Sequence, residues 1–219
     1  MRKIVIIGAG SFGYHVAETL YKKGHEVLVI DKDKTVIQKI KDFCTQAVYA
    51  DATDKETLEA LGVKDMDAAV VSLGDRIEPS ILVTLYLKEL GVKEIIVKAL
   101  SEDHAKILKY IGATEIIFPE RDVAQRLANR LSAKNMLDYL NLAPGYSILE
   151  IVPPKKFVGK SLKELALRSK YGIQIIAVKE LVPEKVDLVP GGDFVIKDSD
   201  ILIVVGKDED LEKLSKGEL

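Results

Sequence analysis

Three glycines near the start of the chain, Gly8, Gly10 and Gly13, have the spacing of a phosphate-binding turn. They follow the apolar run at residues 4–7 and precede a segment with helical periodicity, which is the context that makes this spacing informative. Gly8 permits a tight turn, Gly10 lets the backbone approach a diphosphate, and Gly13 lets helix and strand pack closely. The diphosphate would then lie on the amides of the helix N-terminus. The pattern predicts nucleotide binding.

Asp31 is the second polar group expected at this site. It stands 18 residues after Gly13, at the predicted end of the second strand. A carboxylate there accepts hydrogen bonds from both ribose hydroxyls, whereas a 2'-phosphate would meet like charge. The sequence therefore favours a nucleotide with a free ribose over NADP.

Residues for hydride-transfer chemistry are missing from the sequence. Such an enzyme needs an acid or base beside the nicotinamide, and no tyrosine is followed four residues later by lysine. We expect His15, His25 and His104 to face solvent or to make local hydrogen bonds, and Cys44 has no partner at metal-ligand spacing. An NAD-dependent oxidoreductase is thus an alternative hypothesis. An NAD-sensing transcriptional regulator is another, disfavoured because no basic helix-turn-helix segment flanks the nucleotide-binding region.

The elements that must position these residues alternate between strand and helix. Short apolar runs predict strands at residues 3–8, 26–30, 47–50, 68–72, 94–98 and 115–118. Segments of helical period lie between them, at residues 13–23, 34–43, 55–61, 77–90 and 103–111. Strands that are apolar on both faces and separated by helices specify a parallel sheet covered on both sides. We expect an α/β fold with a Rossmann-like, doubly wound parallel sheet of six strands over residues 1–118.

The second half of the chain has a different pattern. Residues 119–142 are predicted to form a connector helix, helical from Glu120 to about Tyr139, whose apolar stripe suits packing against a second copy of the chain. Pro144 and Gly145 end it, and residues 143–219 are predicted to form a small α+β domain. Its expected strands are at residues 146–152, 173–179, 187–189 and 201–205, with helices at 162–169 and 209–214.

Helix ends are marked by glycines and by two capping patterns. Each of four glycines follows a predicted helix directly, where a left-handed residue is favoured: Gly24, Gly62, Gly91 and Gly112. The tetrapeptides that begin at Thr53 and Ser161 both fit the capping box, in which a hydroxyl and a carboxylate satisfy the first amides of a helix.

Composition excludes several classes of function. The net charge is -2, with basic and acidic residues interspersed, so nothing indicates nucleic-acid binding. The single cysteine rules out an intramolecular disulfide and is typical of a reducing compartment. The apolar run near the start is too short and too poorly flanked for a signal peptide. No stretch reaches the roughly 18 apolar residues that cross a bilayer, so we expect any membrane role to require a partner.

Together, these residues resemble a known family over essentially the whole chain: the cytosolic regulatory subunits of Trk/Ktr-type potassium uptake systems, with an RCK or KTN (TrkA-N) domain followed by a TrkA-C domain. In the first domain the similar stretches are residues 8–13, 24–27, 51–53, 70–74, 85–91, 97–99, 111–113 and 118–120, together with Asp31. In the second they are residues 167–172, 198–200, Pro190, Asp193 and Gly206.

The resemblance implies a nucleotide that acts as a signal, since ATP and ADP compete for this site in the family and related members bind NAD or NADH. By motif position, the phosphates would be held by Gly8, Gly10, Ser11, Phe12 and Gly13. The ribose would be held by Asp31 with Lys32. The adenine side would be formed by Asp51, Ala52 and Thr53, and the mouth of the site by Leu73, Gly74 and Lys98. Glu120 would help to hold a divalent cation between the nucleotides of two subunits. Each of the last two residues also has a simpler interpretation: Lys98 as a surface lysine, and Glu120 as a first-turn glutamate favoured by the helix dipole.

Two residues depart from the family pattern. ATP-sensing members often carry arginine where this chain has Ser11, so AMP, ADP or NAD becomes more plausible than strong ATP discrimination. Asp33 stands where close relatives carry asparagine, and its charge would repel a stray phosphate.

Some relatives bind cyclic di-AMP in the C-terminal domain, and Arg168 with Ile175 and Ile176 lies where that site would form.

The favoured hypothesis is a non-enzymatic gating subunit that regulates potassium transport through an integral-membrane partner. The resemblance implies a cytoplasmic protein held at the inner face of the membrane by that partner. It further implies a homodimer that assembles into an octameric ring, either alone or with a paralogous chain.

Overall fold

The computed structural model describes residues 1–132 and 135–219. They form two compact units, Met1–Pro119 and Glu120–Leu219. Residues 133 and 134, which belong to the predicted connector helix, lie outside the described residues.

The first unit is a parallel sheet with helices between successive strands. Its six strands follow the order β3-β2-β1-β4-β5-β6, and they are β1 (Lys3–Ile7), β2 (Glu26–Asp31), β3 (Gln46–Tyr49), β4 (Ala68–Val71), β5 (Glu94–Lys98) and β6 (Glu115–Ile117). The helices are α1 (Ser11–Lys22), α2 (Lys34–Ile40), α3 (Lys55–Ala60), α4 (Ile77–Glu89) and α5 (Glu102–Ile111). The expected doubly wound sheet is confirmed.

The apolar strands have both faces buried, as their sequences predicted. Val5 and Ile7 of β1 join the core on one face of the sheet, while Ile4 and Ile6 join the core on the other. Because successive side chains of a strand point to opposite faces, a run without polar residues supplies both cores at once.

Helix ends follow the predicted signals with one correction. Gly24, Gly62, Gly91 and Gly112 all have positive φ, as expected. Thr53 is not the cap of α3, because its hydroxyl donates to the Asp51 carboxylate at 2.7 Å. Asp54 takes that role, since its side chain accepts the Glu56 amide at 3.2 Å.

The second unit is an antiparallel sheet with short helices. Its strand order is β10-β9-β11-β8-β7, with β7 (Met136–Ala143), β8 (Tyr146–Ile151), β9 (Gln174–Leu181), β10 (Glu184–Leu188) and β11 (Asp200–Lys207). The helices are α6 (Pro119–Ser132), whose first residue belongs to the first unit, α7 (Leu162–Leu165), α8 (Leu167–Tyr171) and α9 (Asp208–Lys216). The capping box predicted at Ser161 is present with both of its bonds. The single helix expected at 162–169 is divided in two by Ala166, which has a φ of 48°.

Part of the predicted connector helix is a strand. The prediction of helix from Glu120 to about Tyr139 is wrong from Met136 onward, because Met136–Ala143 forms strand β7 instead. Tyr139 and Leu140 pair with Leu149 and Ile148 of β8 across the turn at Gly145. This hairpin pairing overrides a helical spacing that the sequence does satisfy. The rest of the stripe remains on α6, where Val123, Leu127 and Leu131 are 65%, 44% and 75% exposed.

His104 is a buried histidine in the first unit. It is 2% exposed, and its Nδ1 accepts the Leu100 amide at 3.3 Å. Within the described residues its Nε2 has no hydrogen-bond partner. Burial lowers the pKa of His104 below its ordinary value of 6.5. The folded protein therefore holds the imidazole neutral while the unfolded chain takes up a proton below that value.

We expect stability to fall as the pH drops through about 6.5 toward the lowered pKa, because over this window the unfolded state binds the additional proton. Urea unfolding at about pH 7.5 and 5.5 measures the free energy of unfolding at each pH. The decrease in this free energy between the two pH values should be smaller for His104→Leu than for wild type. Leu108→Ala is the matched control, since it removes a buried apolar side chain from the same helix without changing a titratable group, and it should keep the wild-type pH dependence. Equal pH dependence in wild type and His104→Leu would contradict this origin.

Candidate functional site

The residues predicted to bind a nucleotide lie at one edge of the parallel sheet. Gly8 to Gly10 connect β1 to α1, and Ser11 to Gly13 begin α1. Asp31 is the last residue of β2, and Lys98 is the last residue of β5. Asp51 to Thr53 follow β3, and Leu73 with Gly74 follows β4. Parallel strands bring all these ends together, and the strand order reverses direction between β1 and β4. Open α/β sheets bind ligands in the crevice at such a point.

The glycine turn has different steric demands at its three positions. Gly8 has a φ of +87°, and a Cβ there would lie 2.2 Å from the Ser72 carbonyl oxygen. A Cβ on Gly13 would lie 2.0 Å from the Gly8 oxygen, so helix and strand meet as predicted. A Cβ on Gly10 would have no described atom within 4 Å. Gly8 and Gly13 are therefore required by the fold, whereas Gly10 borders open space where a ligand can approach.

The N-terminus of α1 faces the same edge. Gly10 is its N-cap residue, and no described side chain caps it. Ser11 is exposed, while Phe12 is half-buried and packs against the core that contains Ile4 and Ile6 of β1. The first turn therefore offers backbone amides and one small hydroxyl to an anion, with no charged side chain of its own.

Asp31 joins the glycine turn to the loop after β2. Its Oδ2 accepts the Ala9 amide at 2.7 Å, and its Oδ1 accepts the Asp33 amide at 2.9 Å. A carboxylate has about four acceptor positions, so each oxygen keeps one for a ribose hydroxyl. Asp33 in turn caps α2 by accepting the Thr35 amide at 2.7 Å.

Asp51 is held in its charged form by its neighbours. Its Oδ1 accepts the amide and the hydroxyl of Thr53, at 2.9 and 2.7 Å. These bonds lower the pKa of Asp51, and the positive charges of Lys32 and Arg76 lower it further. The end of β3 therefore presents a fixed anion and an ordered turn.

Some of the predicted residues at this edge of the sheet line a common cleft. Six of the predicted residues line it: Asp31, Lys32, Asp51, Ala52, Thr53 and Leu73. The other predicted residues lie at the same edge but outside the lining of the cleft: Gly8, Gly10, Ser11, Phe12, Gly13, Gly74 and Lys98. Five lining residues were missed by the sequence analysis: Ile7, Ile30, Ala50, Arg76 and Pro79. A signal for Arg76 existed, since it is a cation two residues after Gly74 in a loop predicted to reach this edge.

Glu120 belongs to the second unit, where it lies exposed in the first turn of α6. Among the described residues no group of three or more potential ligands is arranged to hold a metal ion. The cation near Glu120 stays a prediction.

The second unit has a hollow of its own, formed by α7, α8 and the start of β9. Arg168 and Ile175 line it together, and Leu167 and Ile173 supply apolar wall. Ile176 lies next to the hollow but outside its lining, and its carbonyl accepts the Val189 amide at 2.9 Å. Two of the three residues predicted for a second ligand are thus brought together.

Both units match known domain families. The TrkA-N domain matches residues 4–119, and the TrkA-C domain matches residues 146–216. The chain belongs to the TrkA-N/TrkA-C family. The resemblance inferred from the sequence is confirmed, and the cleft lies in the TrkA-N domain.

A curated relative of this TrkA-N/TrkA-C chain is the Ktr system potassium uptake protein C of Bacillus subtilis. It is 40% identical over 215 residues, which are 98% of this chain and 96% of the relative. A likeness of this extent covers both domains and the segment between them.

Two solved structures share the fold. The GsuK channel bound to NAD matches with a TM-score of 0.69 and 20% identity, over 97% of this chain and 39% of that one. GsuK bound to ADP matches with a TM-score of 0.53 and 19% identity, over 59% of this chain and 34% of that one. This TrkA-N/TrkA-C chain thus spans about two-fifths of the GsuK channel chain or less. In the part of the chain that the structure describes, no helix has the length and apolarity to cross a membrane.

Proposed function

We propose that this protein is a cytosolic nucleotide-sensing subunit that regulates potassium transport through a membrane partner. The observation that carries the proposal is the cleft at the strand-order reversal, in which Asp31 is fixed by two backbone amides beside a glycine turn open at Gly10. The 40% identity with a potassium uptake protein over nearly the whole chain supports the transport role.

The ligand we propose is an adenine nucleotide: ADP, ATP, AMP or NAD(H). The NAD and ADP named for the two GsuK structures support this class, because both contain adenosine diphosphate. The phosphates lie on the first turn of α1, the ribose on Asp31 and the adenine beside Asp51, Ala52 and Thr53. Ser11 offers no charge to a third phosphate, so ADP, AMP or NAD is expected to bind at least as well as ATP.

The assembly we propose is a homodimer that builds an octameric ring, alone or with a paralogous chain, at the inner face of the membrane. Support comes from α6, whose exposed stripe of Val123, Leu127 and Leu131 suits burial against a second copy. The ring would then act on the transporter through contacts with that membrane partner.

Two further ligands belong to the proposal. Glu120 contributes to a divalent cation site shared between subunits, because it is an exposed carboxylate in the first turn of α6. The hollow of the TrkA-C domain takes cyclic di-AMP, with Arg168 on a phosphate and Ile173 and Ile175 against a base.

The role is regulatory rather than enzymatic, since a gating subunit needs only a difference in nucleotide affinity between two ring states. The NAD named for GsuK keeps an NAD-dependent oxidoreductase as the alternative.

Calorimetric titration of the purified chain with ATP, ADP, AMP, NAD and NADH, with light scattering on each complex, tests the proposal. We expect micromolar binding of adenine nucleotides and a mass of about eight chains. Binding of NADH alone, with turnover of a reducible substrate, would instead establish the oxidoreductase.

A further inference from the structure

Among the described residues, Arg76 is the one arginine in the lining of the nucleotide cleft. It is half-buried at the start of α4, and its Nε donates to the Leu73 carbonyl oxygen at 3.3 Å. This bond occupies the Nε–H and leaves the N–H donors of the two terminal nitrogens, in a side chain that lines the cleft. Nothing in the glycine-turn pattern or in the family resemblance assigns this residue a role.

The position of Arg76 identifies which part of a nucleotide it can reach. In the strand order, β2 and β3 lie on one side of β1, and β4 lies on the other. Asp31 and Asp51 therefore bound the cleft from the side opposite to the loop of Arg76. The phosphate-binding residues Gly10 and Ser11 do not line this cleft. The arginine consequently faces the ribose and base end of the ligand.

Charge in the cleft supports the same placement. The Arg76 charge contributes to the lowered pKa of Asp51, so its guanidinium lies within electrostatic reach of the turn that follows β3. Lys32 acts on Asp51 from the side of β2. The two cations and the carboxylates of Asp31 and Asp51 balance, and no excess positive charge remains to attract phosphates toward this end.

We propose that Arg76 is a specificity-determining residue that stacks its guanidinium plane on the adenine ring and closes the cleft opposite Asp51 to Thr53. Guanidinium groups stack on aromatic faces, and they do so most strongly where water is excluded. The inference rests on the proposed nucleotide function and adds a ligand contact to it. Because every adenine nucleotide presents the same ring, the contact is independent of the number of phosphates.

Calorimetry with AMP, ADP, ATP and NAD on wild type, Arg76→Ala and Arg76→Lys provides the test. We expect Arg76→Ala to weaken all four ligands by a similar factor, about two- to thirtyfold. Arg76→Lys keeps the charge but lacks the planar guanidinium group. Its nucleotide affinity should therefore lie within about twofold of that of Arg76→Ala. Lys93→Ala, which removes an exposed charge from the turn before β5, is the matched control and should bind as wild type does.

Four outcomes would overturn the proposal. A loss that grows from AMP to ATP, or full rescue by lysine, would mean that Arg76 acts through charge on the phosphates. Unchanged binding by Arg76→Ala, with wild type binding normally, would remove Arg76 from the site and leave the proposed function intact. A wild-type chain that binds no nucleotide would defeat both. Thermal unfolding of each free variant verifies that the fold is retained.

Discussion

Gly8→Ala unfolds the TrkA-N domain at a much lower temperature, whereas Gly10→Ala leaves the fold intact and weakens nucleotide binding. At Gly8 a Cβ would lie 2.2 Å from the Ser72 carbonyl oxygen, at a φ of +87°. Overpacking against the backbone and the left-handed conformation together cost about 2–5 kcal/mol. Differential scanning calorimetry should show a drop of roughly 10 °C or more for the first unit.

Gly10→Ala is the matched variant, since a Cβ there has no described neighbour within 4 Å and the φ of −59° suits any residue. We expect its stability to equal that of wild type or to exceed it by up to about 1 kcal/mol. The added methyl group occupies the space through which a diphosphate approaches, so affinity should fall at least about tenfold. Full nucleotide affinity in Gly10→Ala would place the phosphates elsewhere.

Asp31→Ala should weaken every ribose-bearing ligand by at least about a hundredfold. The carboxylate is expected to accept two ribose hydroxyls, and a hydrogen bond to a charged group contributes about 1.5–3 kcal/mol. The same change removes the partner of the Ala9 amide, which is buried, so the glycine turn loses its anchor as well. Calorimetric titration with ADP and NAD measures the combined effect.

Asp33→Ala separates stability from affinity. It removes the cap of α2, including the bond from the Thr35 amide at 2.7 Å, but leaves Asp31 in place. This variant should lose stability and retain nucleotide affinity. If both variants lost affinity equally, loosening of the loop rather than ribose binding would explain the Asp31 effect.

The fold was predictable from sequence where burial alone decides the structure, and it was missed where two local structures compete. Strands of the TrkA-N domain were predictable, because an apolar run such as that of β1 is buried on both faces whatever its neighbours are. The cap of α3 was misassigned, because Thr53 and Asp54 both suit the position and the bond from Thr53 to Asp51 decides between them. Strand β7 was missed, because its helical spacing gives no sign of the pairing with β8.

The candidate site was predictable where a strand end or a glycine fixed its place. Asp31 was found for that reason, whereas Asp51 was assigned through the family resemblance, and the structure places both in the cleft. Arg76 was missed, because its place depends on how the loop after β4 folds back and on its bond to Leu73. The hydrophobic lining residues Ile7 and Ile30 were already assigned to strands, and periodicity does not distinguish a cleft from a core.

Nucleotide-dependent transport tests the central claim most directly. The partner is supplied in inside-out membrane vesicles, which expose its cytoplasmic face. The vesicles are prepared from source cells in which the gene for this chain has been deleted. Flux of radioactive rubidium is then measured after addition of the purified wild-type chain or Asp31→Ala, with and without ADP, ATP or NAD. The account predicts that flux with the wild-type chain changes when nucleotide is added or exchanged, and that flux with Asp31→Ala does not. A rubidium flux that is the same with and without the wild-type chain, whatever the nucleotide, would contradict it.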